Sequence, residues 1–266
     1  MILDELAAGT RARIERQKKE IPLEAMREQA EAMAKENESG FPFEQALRQK
    51  GLSFICEVKK ASPSKGVIAA DFPYLQIAKE YEEAGAAAIS VLTEPERFLG
   101  RDRYLKEIAE AVSIPVLRKD FTVDEYMIYQ AKVLGASAVL LICSILSREQ
   151  LKEYQELADR LGLSALVEAH TEEEIGQALE AGARIVGVNN RNLKDFTVDV
   201  MNSVRLRQLV PKNIVFVSES GIRTQEDTRR LYENGTDAVL IGETFMRSPD
   251  KKAMLDSLRA GGRERR

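Results

Sequence analysis

Residues 82–94 read EEAGAAAISVLTE, a charged stretch that ends in glycine and gives way at once to a short apolar run. The same unit recurs as KVLGASAVLLICS, DRLGLSALVEAH, LEAGARIVGVNNR and YENGTDAVLIGET, starting at residues 132, 159, 179 and 232. A glycine that follows the last helical turn is the usual helix stop, because it tolerates positive φ. Each apolar run is too short and too uniform for a half-exposed strand, so the unit predicts a helix followed by a strand of a buried parallel sheet.

Less obvious runs complete a set of eight strands. We expect them to begin near Phe54, Ala87, Pro115, Ala138, Ser164, Arg184, Ile214 and Ala238. Capping-box patterns at Ser147–Gln150 and Thr171–Glu174 mark two helix starts between strands. Eight strand-then-helix units over about 210 residues predict an α/β fold, the (β/α)₈ TIM barrel. A doubly wound open sheet is the alternative, but the turn KKASPSKG after the first strand lacks the spacing of its glycine fingerprint.

The first 50 residues do not follow this repeat. Their composition favours helices, with a break at Pro22, and they contain too few large apolar residues for a core of their own. We therefore expect residues 1–266 to form a single barrel domain, with residues 1–50 as a helical extension packed on it.

Composition narrows the possible functions. The chain is 44% hydrophobic and 31% charged, with a formal charge of −4, which argues against a nucleic-acid partner. Apolar runs stay well below the roughly 18 residues that span a bilayer, so we expect a cytoplasmic protein with no membrane partner. The two cysteines lie in apolar runs and the chain has one histidine, so neither a disulfide nor a zinc site is expected.

Polar residues gather where the strands end. In FICEVKK, alternation places Glu57 and Lys59 on the face opposite Cys56, and since the helix-facing side should be apolar, both should point into the barrel mouth. The same reasoning applies at four further strand ends, which supply Lys119, Glu168, Asn189, Arg191 and the pair Ser220-Gly221. Active sites of this fold lie at that end, so these residues predict a shared pocket.

An anion site is expected beside this pocket. Ser220-Gly221 and Gly242-Glu243 follow the last two strands, where backbone N–H groups of this fold commonly hold phosphate. Ser62, in the loop after the first strand, could add a hydroxyl, although a plain proline turn accounts for that loop equally well. His170 lies next to a helix start, and we expect it to be a residue of the rim and not a catalytic group.

Six motifs occur in order at these strand ends, and together they resemble the indole-3-glycerol phosphate synthase family of tryptophan biosynthesis. They are EVKKASPSKG, LRKDF, LVEA, GVNNRNL, SESGI and LIGETFM. The resemblance covers essentially the whole chain, including the helical extension. It implies a lyase that closes the indole ring of 1-(2-carboxyphenylamino)-1-deoxyribulose 5-phosphate and releases carbon dioxide and water, with no cofactor and no metal.

The resemblance also implies a role for each matching residue. Lys119 would be the general acid of ring closure, and Glu168 would assist proton transfer in dehydration. Lys59 would pair with the substrate carboxylate or act as the later acid, while Glu57 and Asn189 would orient Lys119, Lys59 and the substrate hydroxyls. Arg191 would shape the anionic pocket. The phosphate would be held by Ser62, Ser220, Gly221, Gly242 and Glu243, although family members often have serine at the last position, which puts a side-chain contact from Glu243 in doubt.

Two other functions remain open from the residues. One is a phosphate-binding barrel enzyme like phosphoribosylanthranilate isomerase, whose Amadori chemistry needs a Cys or Asp acid/base pair, whereas the first strand here offers Glu57 and Lys59. The other is a barrel that binds ligand without catalysis. The partner that the resemblance implies is an anionic small molecule with a phosphate and an aryl carboxylate, and we expect a monomer.

Overall fold

A computed structural model describes residues 2–36, 40–192 and 195–262 of the chain. Leu193, the last residue of the motif GVNNRNL, lies outside them. Eight parallel strands form a closed barrel in which neighbours along the chain are neighbours in space, so the predicted (β/α)₈ fold is confirmed and the open sheet is wrong. The strands are β1 Ser53–Val58, β2 Ala88–Leu92, β3 Val116–Lys119, β4 Ala138–Ile142, β5 Ser164–Ala169, β6 Ile185–Asn189, β7 Val215–Glu219 and β8 Ala238–Ile241.

Three helices precede the first strand, and the other helices alternate with the strands. The three are α1 Ile2–Glu20, α2 Leu23–Glu36 and α3 Pro42–Leu47. The others are α4 Tyr74–Glu83, α5 Asp102–Ala111, α6 Glu125–Val133, α7 Arg148–Arg160, α8 Glu172–Glu180, α9 Met201–Leu206, α10 Gln225–Glu233, α11 Glu243–Arg247 and α12 Lys251–Gly261. Single 3-10 turns lie at Cys143–Ile145 and Arg207–Leu209, and Ala61–Ser62 pairs with Gly66–Val67 in a short hairpin after β1.

The helix signals behave as expected with one exception. The predicted stop glycines all have positive φ, as Gly85 does at 88°. Ser147 and Gln150 form the predicted capping box. Thr171 accepts the N–H of Glu174, but the Glu174 carboxylate accepts the N–H of His170 and so does not complete the box.

Alternation along the strands separates two apolar layers. Inward residues such as Ile55, Leu117 and Leu166 form an inner cluster, which Phe43 and Leu47 of α3 close at the N-terminal ends of the strands. Outward residues pack against the helices. Arg118 of β3 departs from the expected apolar outer face: it is 1% exposed, and its guanidinium contacts Asp102, Thr93 and the carbonyl of Met127.

The N-terminal extension contacts the helices and the outer face of the barrel. The chain turns at Pro22 between α1 and α2, and α2 lies against α6. Ile14, Met26 and Ala30 are buried in the same hydrophobic cluster as the outer face of the barrel. These contacts favour one domain over residues 1–266, which stays a prediction. Among the described helices, none is both long and apolar enough to cross a bilayer.

Candidate active site

The C-terminal ends of the strands open into a cavity of about 500 Å³. The register of the strands places their last residues side by side on the floor of this cavity. Leu92 lies beside Lys119, Ile142 beside Glu168, and Asn189 beside Glu219. Every residue that the sequence assigned to the site lines this cavity: Glu57, Lys59, Ser62, Lys119, Glu168, Asn189, Arg191, Ser220, Gly221, Gly242 and Glu243. The predicted convergence of the polar strand ends is therefore present in the structure.

Lys119 occupies the middle of the polar floor. Its Nζ lies 3.2 Å from Oε2 of Glu168 and 3.4 Å from Oε2 of Glu219. Burial, the largest single influence, disfavours the ammonium, but the charges of Glu168, Glu219 and Glu57 outweigh it and raise the pKa of Lys119 above its usual range. Lys119 therefore carries its proton throughout the neutral range.

Glu219 is a site residue that the sequence analysis missed. It follows Val215 and Val217 on the inward face of β7, so strict alternation would have found it. Burial, together with the nearby charges of Glu168 and Glu57, raises its pKa to about 7 even though Lys119 opposes the shift. This carboxyl can therefore hold or release a proton near neutral pH.

Glu57 and Lys59 form an ion pair at the end of β1, with Nζ and Oε1 2.5 Å apart. Gly242 makes space for this pair, since a Cβ there would lie 2.4 Å from Oε1 of Glu57 and 2.8 Å from Nζ of Lys59. Gly242, which the sequence analysis assigned to phosphate binding, thus leaves room for the Glu57–Lys59 pair.

Glu168 is held from two directions. Asn189 donates its amide N–H to Oε1 at 3.3 Å, and Lys119 donates to Oε2. Burial raises the pKa of Glu168, but Lys119, His170 and Asn189 together lower it below its usual range, so the carboxylate stays ionised.

Asn189 also accepts the backbone N–H of Arg191, whose guanidinium donates to the carbonyl of Phe196. Burial lowers the pKa of Arg191.

One rim of the cavity is cationic. Lys65, Arg191, Arg223 and Arg247 line it next to the Ser220-Gly221 turn, where Ser220 and Gly221 have φ of 68° and 84°. Glu243 turns its carboxylate toward two of these cations, at 3.1 Å from Nε of Arg247 and 3.8 Å from Nζ of Lys65. Despite partial burial, Arg247 and Lys65 lower the pKa of Glu243, so its carboxylate remains charged.

The opposite wall is apolar and includes the N-terminal extension. Ile2, Leu3 and Leu6 of α1 line the cavity, as do Phe98 and Phe121, whose ring centroids are 6.2 Å apart. The sequence alone does not show whether the N-terminal extension reaches this pocket. The structure places one face of α1 there.

An ion pair ties α1 to the strand that carries Lys119. Arg13 donates to Oδ2 of Asp120 at 2.7 Å, and the buried Asp120 also accepts the hydroxyl of Thr93 at 2.6 Å. Because Asp120 is the next residue after Lys119, this contact links the extension directly to the polar floor.

His170, expected at the rim, is not among the described residues that line the cavity, but it lies beside Glu168. Its side chain is 16% exposed, with Nε2 3.5 Å from Oε1 of Glu168 and Nδ1 3.1 Å from Oε2 of Glu174. None of the described lining residues is a cysteine, and Cys56 and Cys143 are both free and buried. Within residues 2–36, 40–192 and 195–262, no three His, Cys, Asp or Glu side chains are grouped as metal ligands.

Known proteins resemble this chain along nearly its whole length. The family model described as "Indole-3-glycerol phosphate synthase" matches residues 3–258. A protein of that name from Ruminiclostridium cellulolyticum is 60% identical over 259 residues, covering 97% of this chain and 99% of its own. Another from Lachnoclostridium phytofermentans is 52% identical over 269 residues and covers 98% of this chain and 99% of its own.

Solved structures resemble the chain in fold alone. The 3-hexulose-6-phosphate synthase of Salmonella typhimurium has a TM-score of 0.65 at 13% identity, covering 79% of this chain and 98% of its own. The two sequence relatives are more similar to this chain, because they align nearly end to end and are identical to it at more than half of the aligned positions. The chain belongs to the indole-3-glycerol phosphate synthase family.

Proposed function

We propose that this cavity catalyses the decarboxylating, dehydrating ring closure of 1-(2-carboxyphenylamino)-1-deoxyribulose 5-phosphate to indole-3-glycerol phosphate, with Lys119 as the general acid. The observation that carries the assignment of the acid is the position of the Lys119 ammonium, which lies between Glu168 and Glu219 on the cavity floor. Nothing in the site favours the isomerase or the non-catalytic reading.

The walls of the cavity fit the two ends of this substrate. The apolar wall of Leu3, Leu6, Phe98 and Phe121 suits an aryl ring, and the cationic rim suits a phosphate monoester. Backbone N–H groups in the turns at Ser220-Gly221 and Gly242-Glu243 would add donors to that phosphate, with Ser62 facing them from the hairpin. Bound in this way, the substrate would place its ribulose carbonyl over the polar floor.

Lys119 would act as the ring carbon that bears the carboxylate attacks the ribulose carbonyl. As the new carbon–carbon bond forms, the carbonyl oxygen gains negative charge and takes the lysine proton. The raised pKa means that Lys119 is always protonated but is a weak acid in the free enzyme. Much of its effect would therefore come from the fixed positive charge beside the developing alkoxide.

Two further bonds break after ring closure. Loss of carbon dioxide returns its electron pair to the ring, and loss of the new hydroxyl as water requires protonation of that oxygen and removal of a proton from the ring system. Glu168 would accept that proton, and Lys59 would pair with the substrate carboxylate or supply the acid. Glu57 and Asn189 would orient Lys59 and Glu168, to which they are bonded in the structure.

Substitution of Lys119 with Met tests this assignment. We expect turnover, followed by indole fluorescence and by carbon dioxide release, to fall roughly a thousandfold. Lys152→Met is the matched control, because Lys152 is exposed on α7. Undiminished turnover in Lys119→Met would refute the assignment, and binding of substrate by the wild type without carbon dioxide release would favour a non-catalytic barrel.

We also propose that the chain works in the cytoplasm as a monomer. Light scattering during size-exclusion chromatography gives the mass in solution directly, and a dimer mass would contradict the second part. Fractionation of the source cells, with the chain found outside the cytoplasm, would contradict the first.

A further inference from the structure

We propose that His170, held as an imidazolium between Glu174 and Glu168, is a positioning residue that orients Glu168 for proton transfer. The inference rests on the proposed function, since it takes Glu168 to be a proton acceptor in the reaction. It concerns the only histidine in the chain.

Geometry first fixes the orientation of the ring. Glu174, in the first turn of α8, accepts the backbone N–H of His170 at 2.6 Å and lies 3.1 Å from Nδ1 of the same residue. Asn202 of α9 donates to the His170 carbonyl at 3.3 Å. Backbone and ring are therefore both restrained, and Nε2 is directed toward the cavity floor.

The second ring nitrogen faces another carboxylate. Nε2 of His170 is buried and lies 3.5 Å from Oε1 of Glu168, without a hydrogen bond in the described part of the chain. A neutral imidazole has one N–H, so if Nδ1 donates to Glu174 then the lone pair of Nε2 would point at the Glu168 anion. A second proton removes this repulsion and creates a donor toward Glu168.

The surrounding charges also favour the imidazolium. The titratable groups that face His170 are Glu168 on β5, Glu174 on α8 and Glu219 on β7. Lys119 of β3 approaches from the far side of Glu168 and Glu219. Burial is the largest single influence and opposes the charge, but the three carboxylates together raise the pKa of His170 above its usual 6.5.

The consequence is a pH-dependent restraint on Glu168. Below its pKa, His170 donates to Oε1 and leaves Oε2 to Lys119. Above that pKa the charge disappears and Glu168 keeps only Asn189 and Lys119 as partners. Turnover should therefore fall on the alkaline side with the midpoint of His170 itself.

Because the chain has one histidine, an untagged sample gives a single imidazole titration by NMR. We expect a midpoint above 6.5 in the wild type, lowered by about one pH unit in Glu168→Gln and in Glu174→Gln. Glu172→Gln, which removes an exposed carboxylate from the same helix turn, should leave the midpoint unchanged.

Kinetics supply the second readout. His170→Gln keeps an N–H near the position of Nε2 without the charge, and His170→Asn does so near Nδ1. In both variants kcat at pH 6.5 should fall roughly tenfold, KM should stay within about twofold, and the alkaline inflection that coincides with the NMR midpoint of His170 should disappear. Wild-type kcat with an unchanged inflection in both variants would overturn the proposal.

The two proposals fail differently. If Glu168→Gln turns over like the wild type, the role proposed for Glu168 is refuted and the positioning role falls with it. If Glu168→Gln is inactive but leaves the His170 midpoint where it was, only the positioning role is overturned.

Discussion

Gly187 of β6 and Glu219 of β7 fit together, in that the Glu219 carboxylate occupies the space a side chain on Gly187 would fill. A Cβ at position 187 would lie 2.3 Å from Oε1 of Glu219 and 3.0 Å from Leu166. The glycine is thus required by the carboxylate beside it, and Glu219 in turn bonds to the proposed acid, Lys119.

Gly187→Ala should displace Glu219 and lower kcat at least tenfold, because the contact is too short to be relieved without moving the carboxylate. Steady-state kinetics at a fixed pH measure the loss. Gly176→Ala is the matched control: it lies in α8 with nothing within 4 Å of the added carbon, so it should keep full activity and gain up to about 1 kcal/mol in stability. Full activity in Gly187→Ala would show that Glu219 is not needed where it stands.

Glu219 should also make stability depend on pH. Its pKa rises from the usual 4.5 to about 7 on folding, so the folded protein binds this proton more tightly than the unfolded chain does. The resulting stabilisation is present at low pH and is lost as pH rises from about 4.5 to about 7. The free energy of unfolding of Glu219→Gln minus that of the wild type should increase as pH rises through that window. At higher pH this difference should stay constant. Urea denaturation at several pH values measures this difference, and a difference that does not vary with pH would contradict it.

Arg13→Ala should loosen the N-terminal extension. Removal of the guanidinium leaves Asp120 buried without its nearest cation, which we expect to cost about 3 kcal/mol in the free energy of unfolding. Because α1 also lines the cavity, KM should rise in the same variant. Arg16→Ala, at an exposed position of the same helix, should change stability by about 0.5 kcal/mol or less. Equal stability of the two variants in urea would argue against the Arg13–Asp120 tie.

Glu243→Gln should strengthen phosphate binding. The Glu243 carboxylate competes with an incoming phosphate for Arg247 and Lys65, and the amide removes that competition while keeping the backbone N–H. These groups are partly exposed, so we expect an effect of roughly threefold, seen as a lower KM and a lower inhibition constant for inorganic phosphate. Glu226→Gln, an exposed carboxylate paired with arginine on α10, serves as the control. Weaker inhibition by phosphate in Glu243→Gln would show that the carboxylate helps the site.

Much of the fold and of the site follows from local pattern. A period of two along each strand leaves no freedom about which face Glu57, Lys119 and Glu168 occupy, and helix-stop glycines set where each strand begins. Glu219 obeys the same rule, but the Ser220-Gly221 turn next to it carries the stronger sequence signal, that of an anion site.

Other features depend on docking between distant segments and have no local signal. Arg118 can lie on the buried outer face because Asp102 and the carbonyl of Met127 come from neighbouring helices to receive it. The contribution of α1 to the cavity wall depends on Arg13 meeting Asp120, more than 100 residues away in the chain. The position of His170 depends partly on a distant segment, because Asn202 donates to its carbonyl, in addition to the local contact with Glu174.

The two ends of the described chain emerge on opposite faces of the barrel. Ile2 lines the cavity, whereas the carbonyl of Gly262 accepts the N–H of Leu52, just before β1 begins at the other face. A purification tag or fluorescent fusion attached ahead of Ile2 would start at the substrate entrance and distort any affinity measured there. The same addition after Gly262 would leave that entrance clear, so immobilisation for binding assays belongs at the carboxyl end.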